Sequence, residues 1–331
     1  MSSHTQRKNG PQKLACHTLI VSDTHLGKTQ VKAEYLLELL QSIAPEGLKR
    51  IILNGDIFDG WALESQRAEE FPEMQHRVMD TINALAASGV EITYIPGNHD
   101  EGLRGIFFPT RPEEGETQEQ SLKSSFTKAS VNDFLDERSV TINFRDKHKT
   151  KQAPIHFRRG MVLQTEEGQR YIVQHGDQFD KWVQEGPSKW LSEQVGRLYY
   201  GIVDLESSFR KAVYGSRHEA RKRIKFSLSK WIKHQAKAMA GVTATFEREA
   251  RALPKKHGYD GMIAGHIHDA KLEEDTGYMN SGDWDDAHGC TALVYNPGEG
   301  FRLVNWLEER RTLGLGTPPT PRDENQSGAF G

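Results

Sequence analysis

Five times along this chain a run of apolar residues ends at a short polar motif: HTLIVSDTHLG (17–27), RIILNGDIFDG (50–60), EITYIPGNHD (91–100), RYIVQHGD (170–177) and YDGMIAGHIH (259–268). Runs this short and rich in branched residues read as buried strands, and the Gly, Asp, Asn and His that follow read as strand-end loops. Between the first three lie segments with helical spacing of apolar residues, QVKAEYLLELLQSIA and EMQHRVMDTINALAASG. Strand, helix, strand, helix, strand argues for a layered α/β core. In such cores, side chains just beyond the strand ends gather on one rim, which is where ligands bind.

The residues so gathered would be Asp23, His25, Asp56, Asn98, His99, His175, His266 and His268. Imidazole and carboxylate without thiolate suit divalent manganese, iron or zinc, and the set is too rich in nitrogen for calcium. It is also too large for one tetrahedral ion, whereas two ions sharing a carboxylate would account for it. In Asp23-X-His25 and His266-X-His268, an extended chain would aim both side chains of each pair to one side. Any single piece, such as an isolated HGD, reads as ordinary hydrogen bonding. The five together read as a metal site. Asp59 and Asp177 read as supports for their neighbours rather than as ligands.

The series D-x-H, GD-x-x-D, GNHD, HGD and GH-x-H resembles the calcineurin-like metallophosphoesterase superfamily, over about residues 18–295. The resemblance implies a four-layer α/β/β/α sandwich with two facing sheets. It implies two divalent ions, manganese first and iron or zinc as alternatives. One ion would take Asp23, His25, Asp56 and His268, and the other Asp56, Asn98, His175 and His266, with Asp56 bridging. His99 would act as the acid on the leaving oxygen or stabilise the phosphoryl group, with Asp100 orienting its ring. The expected layout is a flexible N-terminus at 1–13, one domain at 14–310 with a helical insertion at about 181–257, and a disordered tail rich in Gly and Pro at 311–331.

Substrate choice would lie in the segments between motifs. The formal charge of the chain is −3, yet residues 186–258 hold sixteen Lys and Arg against six Asp and Glu, a local +10. Arg221, Lys222 and Arg223 are the densest part, and Trp231 lies on the helix-like FSLSKWIKHQAKAMAG. A packed helical pair, a nucleic-acid surface and a lipid-facing cap all fit basic, apolar-striped helices. A helical insertion between HGD and GH-x-H resembles the branch containing UDP-2,3-diacylglucosamine diphosphatase. That branch implies a phosphorylated amphiphilic substrate met at the cytoplasmic face of a membrane. The alternatives are a broader phosphodiesterase, phosphatase or nuclease of the superfamily, and a non-catalytic scaffold that binds a membrane or a protein. The polar N-terminus and two distant cysteines favour a reducing cytoplasm over export.

Overall fold

The computed structural model describes residues 12–28, 31–60, 72–108, 130–145, 151–179, 228–284 and 289–316. The first sheet is built on β1 (Thr18–Val21), β2 (Arg50–Asn54), β3 (Glu91–Ile95) and β5 (Gln152–Phe157), which run parallel. β4 (Val140–Arg145) closes one edge, and β11 (Thr291–Asn296) with β12 (Gly300–Asn305) closes the other, all antiparallel to their neighbours. The order is β12-β11-β1-β2-β3-β5-β4. The second sheet has order β6-β7-β8-β10-β9, from Met161–Gln164, Arg170–Val173, Gly261–Ala264, Tyr278–Asn280 and Lys271–Glu273.

Strand alternation sorts the core into layers. Ile20, Ile52, Ile95 and Leu293 of the first sheet pack against Leu163, Tyr171, Val173, Ile263 and Met279 of the second. Their neighbours Leu19, Val21, Ile51, Leu53, Ile92 and Tyr94 face the other way, against α1 (Ala33–Ser42) and α2 (Glu73–Ala87). On the far side of the second sheet, Ile172, Met262, Ala264 and Tyr278 meet Phe246, Ala250 and Leu253 of a long helix. The four layers expected from the motif series are therefore present. A short helix α3 (Gly102–Phe107) follows β3, the long helix α4 spans Leu228–His257, and α5 (Trp306–Thr312) follows β12.

The fragment FSLSKWIKHQAKAMAG enters α4, whose second half is the fourth layer of the sandwich. Phe246 is 1 % exposed, so its truncation to alanine would cost about 3–5 kcal/mol. The side chain of Trp231, and Arg221, Lys222 and Arg223 altogether, lie outside the described residues. Past α5, Leu313 is buried in the main core. Among the described residues no helix is long and apolar enough to cross a membrane.

β5, β9 and β12 carry no clear strand signal. In β5, Ala153, Ile155 and Phe157 point into the core, but Pro154 interrupts the run, and a proline inside a strand argues against one.

Candidate metal centre

The loops after β1, β2, β3, β7 and β8 meet at one end of the two sheets, and those after β1, β2 and β8 carry strained backbone. Asp23, His25, Asp56, His266 and His268 all have left-handed φ, at 52°, 46°, 52°, 71° and 56°. That conformation costs an L-residue roughly 1–2 kcal/mol each, and such strain clusters at functional sites. Cross-loop hydrogen bonds hold it in place. Asp23 N donates to Gly55 O at 3.0 Å and His25 N to Asp56 O at 2.9 Å, while Gly265 N donates to His175 O at 2.8 Å. The expectation that Asp23 and His25, or His266 and His268, point together because their chain is extended is corrected here. The strands end at Val21 and Ala264, and left-handed turns bring each pair into the site.

Glycines make the approach close enough. A Cβ on Gly55, whose φ is 86°, would overlap the His175 ring, and one on Gly97 would overlap the Asp56 carboxylate.

Two clusters result. In the first, His25 Nε2 lies 3.3 Å from His268 Nε2, and His268 Nε2 lies 3.3 Å from Asp23 Oδ1. The opposite ring nitrogens face carboxylates: His25 Nδ1 is 3.2 Å from Asp59 Oδ2 and His268 Nδ1 is 3.3 Å from Asp283 Oδ2. With each Nδ1 turned to a carboxylate, both Nε2 atoms face one another across the same gap. In the second, His175 Nδ1 donates to Asn54 O at 2.9 Å, which leaves Nε2 facing Asp56 Oδ2 at 3.2 Å without an aligned hydrogen bond. His266 Nδ1 and Asn98 Oδ1 sit 2.9 Å apart beside them. Ligand atoms about 2.0–2.2 Å from a shared ion have separations of this size. Asp23, His25 and His268 can converge on one point, Asp56, His175 and His266 on another, and Asp56 also groups with His25 and His99. The residues fit a pair of ions.

Charge points the same way. Burial works to raise the Asp23 carboxyl, but His268 and His175 outweigh it and hold it at about 2. Burial likewise opposes ionisation of Asp56, yet His175 and His99 keep it well below the usual carboxylate range. Burial disfavours the protonated rings, but Asp56 and Asp23 push His175 up to about 10, and Asp23 with other carboxylate contacts pushes His268 up to about 11. The carboxylates of this cradle stay ionised and attract positive charge.

The supporting shell differs in part from expectation. Asp100 does not orient His99. Its carboxylate accepts from Tyr94 Oη and Gly97 N, and from Ile57 N at 3.0 Å, so it is fully engaged in bracing the loop. The carboxylate at His99 is Asp59, whose Oδ2 lies 2.9 Å from Nδ1 and also 3.2 Å from Lys28 Nζ. Asp177 supports its loop, as expected, by pairing with Arg104. Asp283 was not anticipated. Its segment, GYMNSGDW, repeats the apolar-then-polar layout of the other five, which is the signal that could have found it.

A family model for calcineurin-like phosphoesterases matches residues 16–270. A comparison with curated proteins found no match. Among solved structures, a dimetal phosphatase from Danio rerio aligns at 12 % identity and a TM-score of 0.38, covering 87 % of this chain and 98 % of that one. A predicted phosphoesterase from Streptococcus pneumoniae TIGR4 aligns at 12 % identity and a TM-score of 0.27, covering 87 % and 95 %. The family match spans most of the sequence, and the chain belongs to the calcineurin-like phosphoesterase family.

Proposed function

We propose that this member of the calcineurin-like phosphoesterase family is a hydrolase using two manganese ions. Asp23, His25, Asp56 and His268 would hold one ion, and Asp56, Asn98, His175 and His266 the other. The observation that carries the reading is the place of Asp56, between His25 on one side and His175 with His266 on the other. Bound there, paired divalent ions supply Lewis acidity to a phosphoryl group and lower the pKa of water to near neutrality.

The chain's own residues would do the rest. His99 keeps 19 % of its side chain exposed at the rim while Asp59 holds Nδ1, so Nε2 is the nitrogen that would donate a proton to the leaving oxygen as the P–O bond breaks. Burial works against a charged His99, but Asp56 and Asp59 raise its pKa, which keeps that proton available. Asp100 and Arg104 fix the loop that carries it.

For the substrate we propose a nucleotide-lipid pyrophosphate of the UDP-2,3-diacylglucosamine kind, split to UMP and a lipid sugar 1-phosphate. The protein would work in the cytoplasm, against the anionic inner face of the membrane. Support comes from the branch resemblance and from the +10 charge of residues 186–258, where Arg221, Lys222, Arg223 and Trp231 would meet headgroup and acyl chain. One observation favours a broader phosphodiesterase or phosphatase: His99 stands where the best-known diphosphatases of that branch carry arginine. Manganese-loaded protein should be assayed on the diacyl nucleotide sugar and on an aryl phosphodiester. Release of UMP supports the narrow substrate, and cleavage of the aryl ester alone supports the broader one. Two bound ions with no hydrolysis of either overturn the enzymatic reading.

A further inference from the structure

We propose that Asp283 is a positioning residue that fixes the ring of His268 so that its Nε2 faces the first metal position. The inference rests on the two-ion reading above. His268 needs such a tether. Its side chain is 35 % exposed, against 1 % for His25 and none for His175, so packing alone does not hold its ring. Asp283 Oδ2 lies 3.3 Å from His268 Nδ1, and its own side chain is only 5 % exposed. With Nδ1 held at this carboxylate, the ring is turned so that Nε2, the atom 3.3 Å from both Asp23 Oδ1 and His25 Nε2, is the one offered to an ion. The arrangement repeats on the other side of the same cluster, where Asp59 stands behind His25.

Asp283 is itself fastened from several directions. Its carbonyl accepts from Cys290 N at 2.7 Å and Thr291 N at 3.2 Å, and Cys290 has a left-handed φ of 71°. Gly282 O accepts from Ser22 Oγ at 3.0 Å, and Trp284 N donates to Asp23 O at 3.1 Å. The loop after β10 is thus tied to the β1 loop on both sides of Asp283. A rigid carboxylate behind an exposed ligand ring raises its basicity and fixes its tautomer.

The test is metal titration of stripped full-length protein with Co²⁺ and with Mn²⁺, comparing wild type with Asp283→Asn, Asp283→Ala and Asp283→Glu. In the Asn and Ala variants one of the two ions should bind about 10–100-fold more weakly, with the visible spectrum of Co²⁺ altered at that ion alone. The glutamate variant should recover part of the affinity. Metal-free melting temperatures serve as the control for folding, and the isosteric Asn variant stands in should Ala not fold. Wild-type affinity for both ions in a folded Asp283→Ala protein overturns this inference alone, as does an equal weakening of both. A wild-type protein that takes up no pair of ions overturns the two-ion reading first, and this one with it.

Discussion

Arg104 grips Asp177 through two parallel hydrogen bonds, Nη1 to Oδ2 at 2.6 Å and Nη2 to Oδ1 at 2.7 Å, where neither side chain is more than 3 % exposed. Arg104 Nη2 also donates to Pro96 O, so one guanidinium joins the β3 loop that carries Asn98 to the β7 loop that carries His175. Removing one partner leaves a buried charge without its counterion. Arg104→Met should destabilise the fold by about 3–5 kcal/mol, read as a lower urea midpoint. The double variant Arg104→Met, Asp177→Leu should recover much of that loss, since neither charge then remains.

Asp56 is the residue whose loss should be felt at both ions. In Asp56→Asn, activity on any phosphoester substrate should fall about a thousandfold, the worth of several kcal/mol of lost charge stabilisation. Titration should show both ions weakened, whereas His268→Ala should weaken only one. Intact turnover in Asp56→Asn would remove the basis of the proposed mechanism.

His99 should be separable from metal binding. His99→Asn should keep two ions bound yet lower kcat about 10²–10⁴-fold on substrates with a poor leaving group. On a nitrophenyl ester, whose leaving oxygen needs little help from an acid, the loss should shrink. Asp59→Asn should show the same leaving-group pattern together with weaker binding of the ion that His25 holds, because Asp59 faces both His99 Nδ1 and His25 Nδ1.

Acid should loosen α4 through Glu273. Hydrogen bonds from Arg251 foremost, with help from Thr276 against the burial that opposes them, hold this carboxyl at about 2 rather than its usual 4.5. A depressed folded pKa means the stabilisation is whole above pH 4.5 and is lost as pH falls towards 2. The carboxylate is partly open to solvent, with 23 % of the side chain exposed, so screening keeps the effect to about 1 kcal/mol or less. Urea unfolding at pH 6 and pH 3 should show a steeper acid loss in the wild type than in Arg251→Ala.

Much of this protein can be read along the chain because its strands are sorted by alternation and its ligand candidates sit where strands stop. The inward Ile20, Ile52 and Ile263 and the outward Leu19, Ile51 and Met262 are neighbours in sequence, so period two is visible in one dimension. The edge strands are less legible. β9 has only three residues, and β5 carries a proline tolerated because the residues either side of it supply the buried face.

What the sequence by itself determined is the inventory: strand-end carboxylates and imidazoles in a fixed order, with glycines beside them. The tertiary structure alone decided the partnerships. Asp59 rather than the adjacent Asp100 stands at His99, and Asp283, fifteen positions after His268, backs its ring. The physical reason is that the backbone turns left-handed at Asp23, His25, Asp56, His266 and His268 and the loops fold sharply beside them, so adjacency in the chain no longer says which way a side chain points. Which carboxylate reaches which nitrogen then depends on how the loops of two sheets close over one another.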